Sequence, residues 1–238
     1  MNLGDIYLGV LQRMNKDQFG GYVSPDAFNT TVKKVNIDAV NSLINQFEND
    51  RMVSRDLLPL IKTLGDPTNV PLTFDDFGYA EIPDDYYYYA RGLFNEVLNT
   101  CEGVTDNIRM LEMVDQAEFA ARLNTKLKAP KKSRPIMTRQ NDKFIIRPIV
   151  QSVVFTYVRQ PETPFFDYDI IAGVPVYLPP NAVHTNSSVL PVGTASRSVE
   201  FEYPDTMFSE LIERIVREFS IGIQSQFGVQ TTNPESAE

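Results

Sequence analysis

The side chains best spaced for chemistry lie in NKDQFGGYVSPD, from Asn15 to Asp26. An EF-hand loop takes oxygen ligands at its first, third and fifth positions, glycine at the sixth and a bidentate glutamate at the twelfth. Asn15, Asp17 and Gly20 fit that spacing, with the apolar Tyr22 at the eighth position. Phe19 at the fifth has no oxygen, and Asp26 at the twelfth is too short for bidentate ligation. A glycine-bent connection between two helices accounts for every residue, so no metal is expected here.

The acidic pairs Asp75-Asp76 and Asp84-Asp85 suggest paired carboxylates for acid–base or metal chemistry. Adjacent residues diverge in a strand and stand about 100° apart on a helix, so neither pair converges on one point. Each sits where a turn or cap is expected. His184, the only histidine, falls in a Pro/Asn/Ser-rich stretch with no triad or metal-ligand spacing around it, and reads as a surface loop. Cys101, the only cysteine, has no partner for an intrachain disulfide and reads as a small buried hydrophobe. No phosphate-binding glycine loop, dinucleotide fingerprint or zinc spacing occurs. The expectation is a chain with no catalytic residues, no cofactor and no metal.

Charge is more informative. The chain of 238 residues carries a net −9, which disfavours general coating of nucleic acid. Between Arg122 and Arg147 stand nine bases, namely Arg122, Lys126, Lys128, Lys131, Lys132, Arg134, Arg139, Lys143 and Arg147, against the single acid Asp142. That segment is therefore +8, which leaves −17 on the rest. Such segregation points to docking of a basic arm on an acidic body, or to DNA passing nearby. The run Tyr86–Tyr89 suits an interface, because tyrosine is amphipathic.

These features must be held by elements legible in the periodicity. Leu3, Ile6, Tyr7, Val10, Leu11 and Met14 predict a short amphipathic helix. Ser24, Pro25 and Asp26 start a long helix ending near residue 50, with Val23 and Phe28 as a hydrophobic staple. Phe28, Val32, Val35, Ala39, Leu43 and Phe47 mark its inner face. Ser54 caps a shorter segment carrying Leu57, Leu58 and Ile61. After Gly65, prolines and glycines break the helical period. Asp115 and Glu118 resemble a capping box for a helix through Leu123. A hairpin is expected over Pro135–Thr138 and Lys143–Arg147, and strands over Gln151–Arg159, Pro175–Leu178 and Ser198–Tyr203. Pro130 should release the basic stretch as an extended arm. Pro204-Asp205 opens a closing helix whose stripe includes Leu211 and Ile215. The fold class is α+β: helices at 1–64, a mixed region at 65–229 packed with them, and a polar tail at 230–238.

The opening helix followed by NKDQFGGYVSPDAFN, then GYAEIPDDYYYY, RPIMTRQNDKFIIRPIVQSVVFTYVRQPETPFFDY and SVEFEYPDTMFSELIERIVREFSIGI, resembles connector-type structural proteins of tailed phages, including crAss-like ones. The likeness spans about residues 3–230, apart from Asn99–Asp106. It implies a homo-oligomeric ring, usually twelvefold, beneath the portal vertex, contacting the portal and other neck or tail proteins. DNA passes through the lumen, and an acidic balance suits a channel that must not grip it. The expected location is the virion neck, after synthesis in the host cytoplasm. The N-terminus shows no signal-peptide pattern, and no apolar run reaches membrane-spanning length. Expected subunit contacts are Lys126, Lys128, Lys131, Lys132, Arg134, Arg139, Tyr86, Tyr87, Leu211 and Ile215. The alternatives are another tail or capsid accessory subunit, or a calcium- or small-ligand-binding module.

Overall fold

The structure, a computed structural model, describes residues 1–15, 23–49, 55–66, 69–100 and 103–230. It is an α+β fold. In chain order the elements are α1 (Leu3–Asn15), α2 (Pro25–Asn49), β1 (Ile61–Leu64), β2 (Leu72–Thr73), β3 (Tyr79–Glu81), β4 (Tyr86–Thr100) and β5 (Gly103–Met113). There follow α3 (Gln116–Asn124), β6 (Ile136–Gln140), β7 (Lys143–Arg147), β8 (Ser152–Arg159), β9 (Tyr168–Ile171), β10 (Val174–Tyr177) and α4 (Phe208–Gln230). The chain divides into two units, one of residues 1–59 and 161–238, the other of 60–160. The boundary expected at 64–65 lies near the first crossing, and the second falls inside the stretch 65–229.

The first unit is built on its three helices. Ser24 starts α2 as its sequence requires, accepting from the Ala27 N–H at 3.3 Å. Val23 and Phe28 are both buried, as a staple demands. Phe28, Val32, Val35, Ala39 and Leu43 are buried along one face, while Phe47 near the end is only half-buried. Tyr7, Phe28 and Phe166 interlock, with centroids 4.6 to 5.5 Å apart. Helix α4 packs on α1 and α2. Gly9 permits close approach to α4, since a Cβ there would stand 2.6 Å from Ile212 Cδ1. Leu211 and Ile215 are fully buried. Their stripe belongs to the chain's own core, which corrects their assignment to a subunit contact.

The stretch Ser198–Tyr203 is not a strand. Val199 forms one bridge with Phe165, and the neighbouring polar side chains brace other segments instead. Ser198 donates to the Leu178 carbonyl at 2.6 Å, and Glu200 accepts from Tyr177 and from the Leu3 N–H.

The second unit is one sheet of eight strands in the order β1-β8-β4-β5-β6-β7-β3, with β2 also paired to β8. Its core is aromatic: Phe94, Phe144, Phe155 and Tyr157 are at most 3 % exposed. The hairpin β6–β7 turns at Asn141, whose φ of 53° is tolerated by asparagine. Strands β4 and β5 form a long hairpin paired from Gly92↔Leu111 out to Thr100↔Gly103. Ile61, expected in the segment with Leu57 and Leu58, instead opens the strand Ile61–Leu64 against β8. Strand β5 continues to β6 in parallel, through Glu112↔Ile136 and Met113↔Met137. A parallel pair needs a crossover, and residues 114–135, containing α3, supply it.

Candidate functional site

The sheet order has two unpaired ends, and they define a groove. Strands β1 and β3 terminate the order, and no ladder joins them among the described residues. Leu64 of β1, Leu72 and Thr73 of β2 and Tyr79, Ala80 and Glu81 of β3 line it together, enclosing about 690 Å³. The turn between β2 and β3 closes one end. Asp75 forms it, accepting from the Phe77 and Tyr79 N–H groups at 2.9 and 2.8 Å. Gly78 completes it at φ 73°, where an added Cβ would sit 2.8 Å from the Ile146 carbonyl oxygen. The rim carries Asp75, Glu81 and Asp84, all exposed, against the single base Lys143.

The second acidic pair is also a turn. Asp85 accepts from Tyr157 Oη at 2.6 Å and from Lys62 Nζ at 2.9 Å. Burial raises its pKa, but these hydrogen bonds outweigh that and hold it below the ordinary carboxylate value. Asp84 points to solvent. The two carboxylates have separate roles, as their adjacency requires.

The basic stretch lies in the β5–β6 crossover. Helix α3 is capped by Asp115, which accepts from the Glu118 N–H at 2.7 Å. It ends at Thr125. Beyond it the chain makes two tight turns rather than an extended arm. Residues 126–128 form one, and reciprocal Lys131–Arg134 backbone bonds of 3.3 and 2.9 Å close the other. Pro130 prevents the helix from resuming, and local backbone pairing then compacts residues 131–134. Lys126, Lys128, Lys131 and Lys132 are exposed and form no ion pair with any described residue. Leu127, between two of them, is 96 % exposed.

Arg122, Arg134 and Arg139 are occupied locally. Arg122 forks onto Glu112 at 2.8 and 2.7 Å and also reaches Glu118, which pushes its pKa further up. Arg134 stands 3.6 Å from Glu112 and remains largely exposed. Arg139 lies 5.9 Å over the Tyr86 ring. Tyr86 in turn packs edge-on against Phe144 at 5.3 Å, and burial pushes its hydroxyl up to about 12. Tyr87 is half-buried. Tyr89 donates to the Leu111 carbonyl at 2.6 Å. Much of the tyrosine run thus serves the unit's own core and strand pairing.

His184 is the residue whose place the sequence concealed. It is buried rather than on the surface, 2.6 Å from Asp169 through Nδ1 and 3.2 Å from Asp167 through Nε2. The hydrogen bond with Asp169, then that with Asp167, raises its pKa against the opposing effect of burial. Thr185 donates to Asp169 from its N–H and hydroxyl, and the Arg197 N–H reaches Asp167 at 2.9 Å. This network ties residues 182–198 to the strand β9 region. With both ring nitrogens held by carboxylates, it is a cross-brace and has no free nitrogen for proton transfer.

Among the described residues, no group of three or more His, Cys, Asp or Glu is placed to hold a metal ion. Residues 16–22 of the EF-hand-like loop, Ser54, Cys101 and the tail 231–238 lie outside the described residues. No described helix is long and apolar enough to cross a membrane. No protein-family model matches the chain, and no curated protein matches it.

Proposed function

We propose that the chain is a non-enzymatic structural subunit of a tailed-phage head-to-tail connector, assembled as a ring through which DNA passes. The observation that carries this reading is the cationic loop of residues 126–134. Four lysines with no ion-pair partner among the described residues surround a leucine that is almost wholly in water. A leucine left in water forgoes about 1.5–3 kcal/mol of burial, so this loop gains by meeting another macromolecule. The resemblance of residues 3–230 to connector proteins supplies the kind of partner: copies of itself, the portal and neighbouring neck or tail proteins. The acidic remainder of the chain keeps a ring's inner wall from gripping DNA strongly.

Native mass spectrometry and negative-stain imaging of the purified chain test this. Closed rings of one subunit number are expected, and raising salt should weaken them because exposed ion pairs are screened. Filaments or irregular assemblies would transfer the protein to another virion role. A monomer at every concentration would overturn the reading.

A further inference from the structure

Strands β4 and β5 outrun the sheet they belong to. Strand β4 leaves β8 after Leu93↔Val154, and β5 meets β6 only at Glu112 and Met113. Beyond those points, seven successive pairs from Phe94↔Arg109 to Thr100↔Gly103 join the two strands only to each other among the described residues. They make a two-stranded ribbon roughly 20 Å long. Such a ribbon is marginally stable at best in water, and both its edges present unpaired N–H and C=O groups. Counting inward from Thr100↔Gly103, the hydrogen-bonded pair on which a two-residue connection closes, every second pair turns those groups outward. Asn99↔Val104, Val97↔Asp106 and Asn95↔Ile108 are such pairs. The same count turns Leu93 toward β8 and Glu112 toward β6, where each finds a partner. We infer that the outer edge of β4 pairs with the outer edge of β5 of a second copy, so that a ring of copies closes its ribbons into one continuous β-barrel. This rests on the assembly reading above, and names the surfaces that perform it.

Exposed edges are ordinarily blunted by proline, lysine or a bulge. The small β9–β10 hairpin carries Pro175, but from Leu93 to Met110 there is neither proline nor lysine, and the register from Gly92 to the tip is unbroken. An edge left this open is suited to pairing by another strand. One ribbon also offers two different edges of equal length at the same level, which a head-to-tail contact requires, and closing the circle leaves no edge. Charge selects the pairing of unlike edges. Glu96 is the only charged residue of β4 from Phe94 to Thr100, and it ion-pairs with Arg109 of β5 at 3.0 Å. Joining β4 to β4 would bring two Glu96 carboxylates together, whereas joining β4 to β5 sets Glu96 beside the strand that carries the next copy's Arg109. Ile108 and Met110, 67 and 59 % exposed, lie along the β5 edge and gain cover from the added strand.

The test uses the full chain and native mass spectrometry. One variant blocks the β4 edge with Asn95→Pro and Asn99→Pro; another blocks the β5 edge with Val104→Pro and Ile108→Pro. Each proline removes an outward N–H and spares the bonds inside the hairpin. A third variant replaces residues 97–106 by Asn-Gly, a two-residue turn closed on the Glu96↔Asn107 pair. The wild type should form closed rings, and each variant alone should be a monomer that still melts cooperatively. An equimolar mixture of the two edge-blocked variants should give one-to-one heterodimers and no ring, because one open edge of each kind remains. Rings from the truncated chain or from either blocked variant would overturn the edge pairing and leave the ring reading standing. Self-dimers of the β5-blocked variant would show β4 pairing with itself and overturn the head-to-tail assignment. A wild type that stays monomeric overturns both readings. If the prolines unfold the chain, the truncated variant, which removes only ribbon residues, decides: rings overturn the edge pairing and monomers uphold it.

Discussion

At the scale of single residues, His184 makes the most specific demand. Its folded-state pKa is raised, so its stabilising contribution is full below the unfolded value near 6.5 and is lost as pH rises through the higher folded value. Asp167 and Asp169 are shifted the other way. Thr185 leads the stabilisation of the Asp169 carboxylate, while at Asp167 burial opposes ionisation and is overcome by the Arg197 N–H and His184. Their contribution is present above about pH 3.9 and is lost as pH falls through their lower folded values. The network is therefore strongest in mildly acidic solution. Thermal melts of the first unit should fall between pH 6 and pH 9, and His184→Gln should melt lower while flattening that slope. An equally steep slope in the variant would show that His184 is not its source. Nothing in the sequence near residue 184 announces this role, because Asp167 and Asp169 become its partners only through the β9–β10 turn. By contrast, the two acidic pairs were legible as turns, since adjacency alone prevents convergence.

At the scale of elements, legibility followed how local the forces are. Helix α2 runs from Pro25 to Asn49, the span its cap, staple and periodicity predict. The α3 cap and the β6–β7 hairpin are also decided within a few residues. The β4–β5 hairpin escaped, although it is the longest strand pair. Its outer half contains Asn95, Glu96, Asn99, Asp106 and Asn107, which blur the alternation, and its pairing to β8 is interrupted by bulges near Tyr86–Tyr88 and Tyr89–Arg91. Tertiary pairing formed what local propensity did not. The same contrast grades the helix α2 substitutions. Phe28→Ala removes a fully buried ring locked against Tyr7 and Phe166, and should cost about 3–5 kcal/mol in denaturant unfolding. Phe47→Ala, at a half-buried position, should cost clearly less. Equal costs would mean that the end of α2 is packed as tightly as its start.

At the scale of the whole molecule, the chain order separates a contiguous unit from a discontinuous one. Residues 60–160 run without interruption through β1 to β8, whereas the other unit needs residues 1–59 and 161–238 together. The contiguous unit has its own aromatic core, with Phe144 and Phe155 at 0 % exposure, and every ladder of its eight-stranded sheet lies within it. At about 100 residues it also lies in the ordinary range for an independent domain. Expressed alone, Leu60–Gln160 should fold cooperatively, with dispersed amide resonances and a single unfolding transition. Phe155→Ala should abolish or strongly lower that transition, because Phe155 touches Tyr86, Tyr89, Phe144 and Tyr157. The fragment keeps the cationic loop that carries the assembly reading. It should therefore self-associate, and Lys128→Glu with Lys131→Glu should weaken that association. A folded fragment that stays monomeric while the full chain forms rings would place the subunit contact in the helical unit. An unfolded fragment would show that the sheet depends on the rest of the chain.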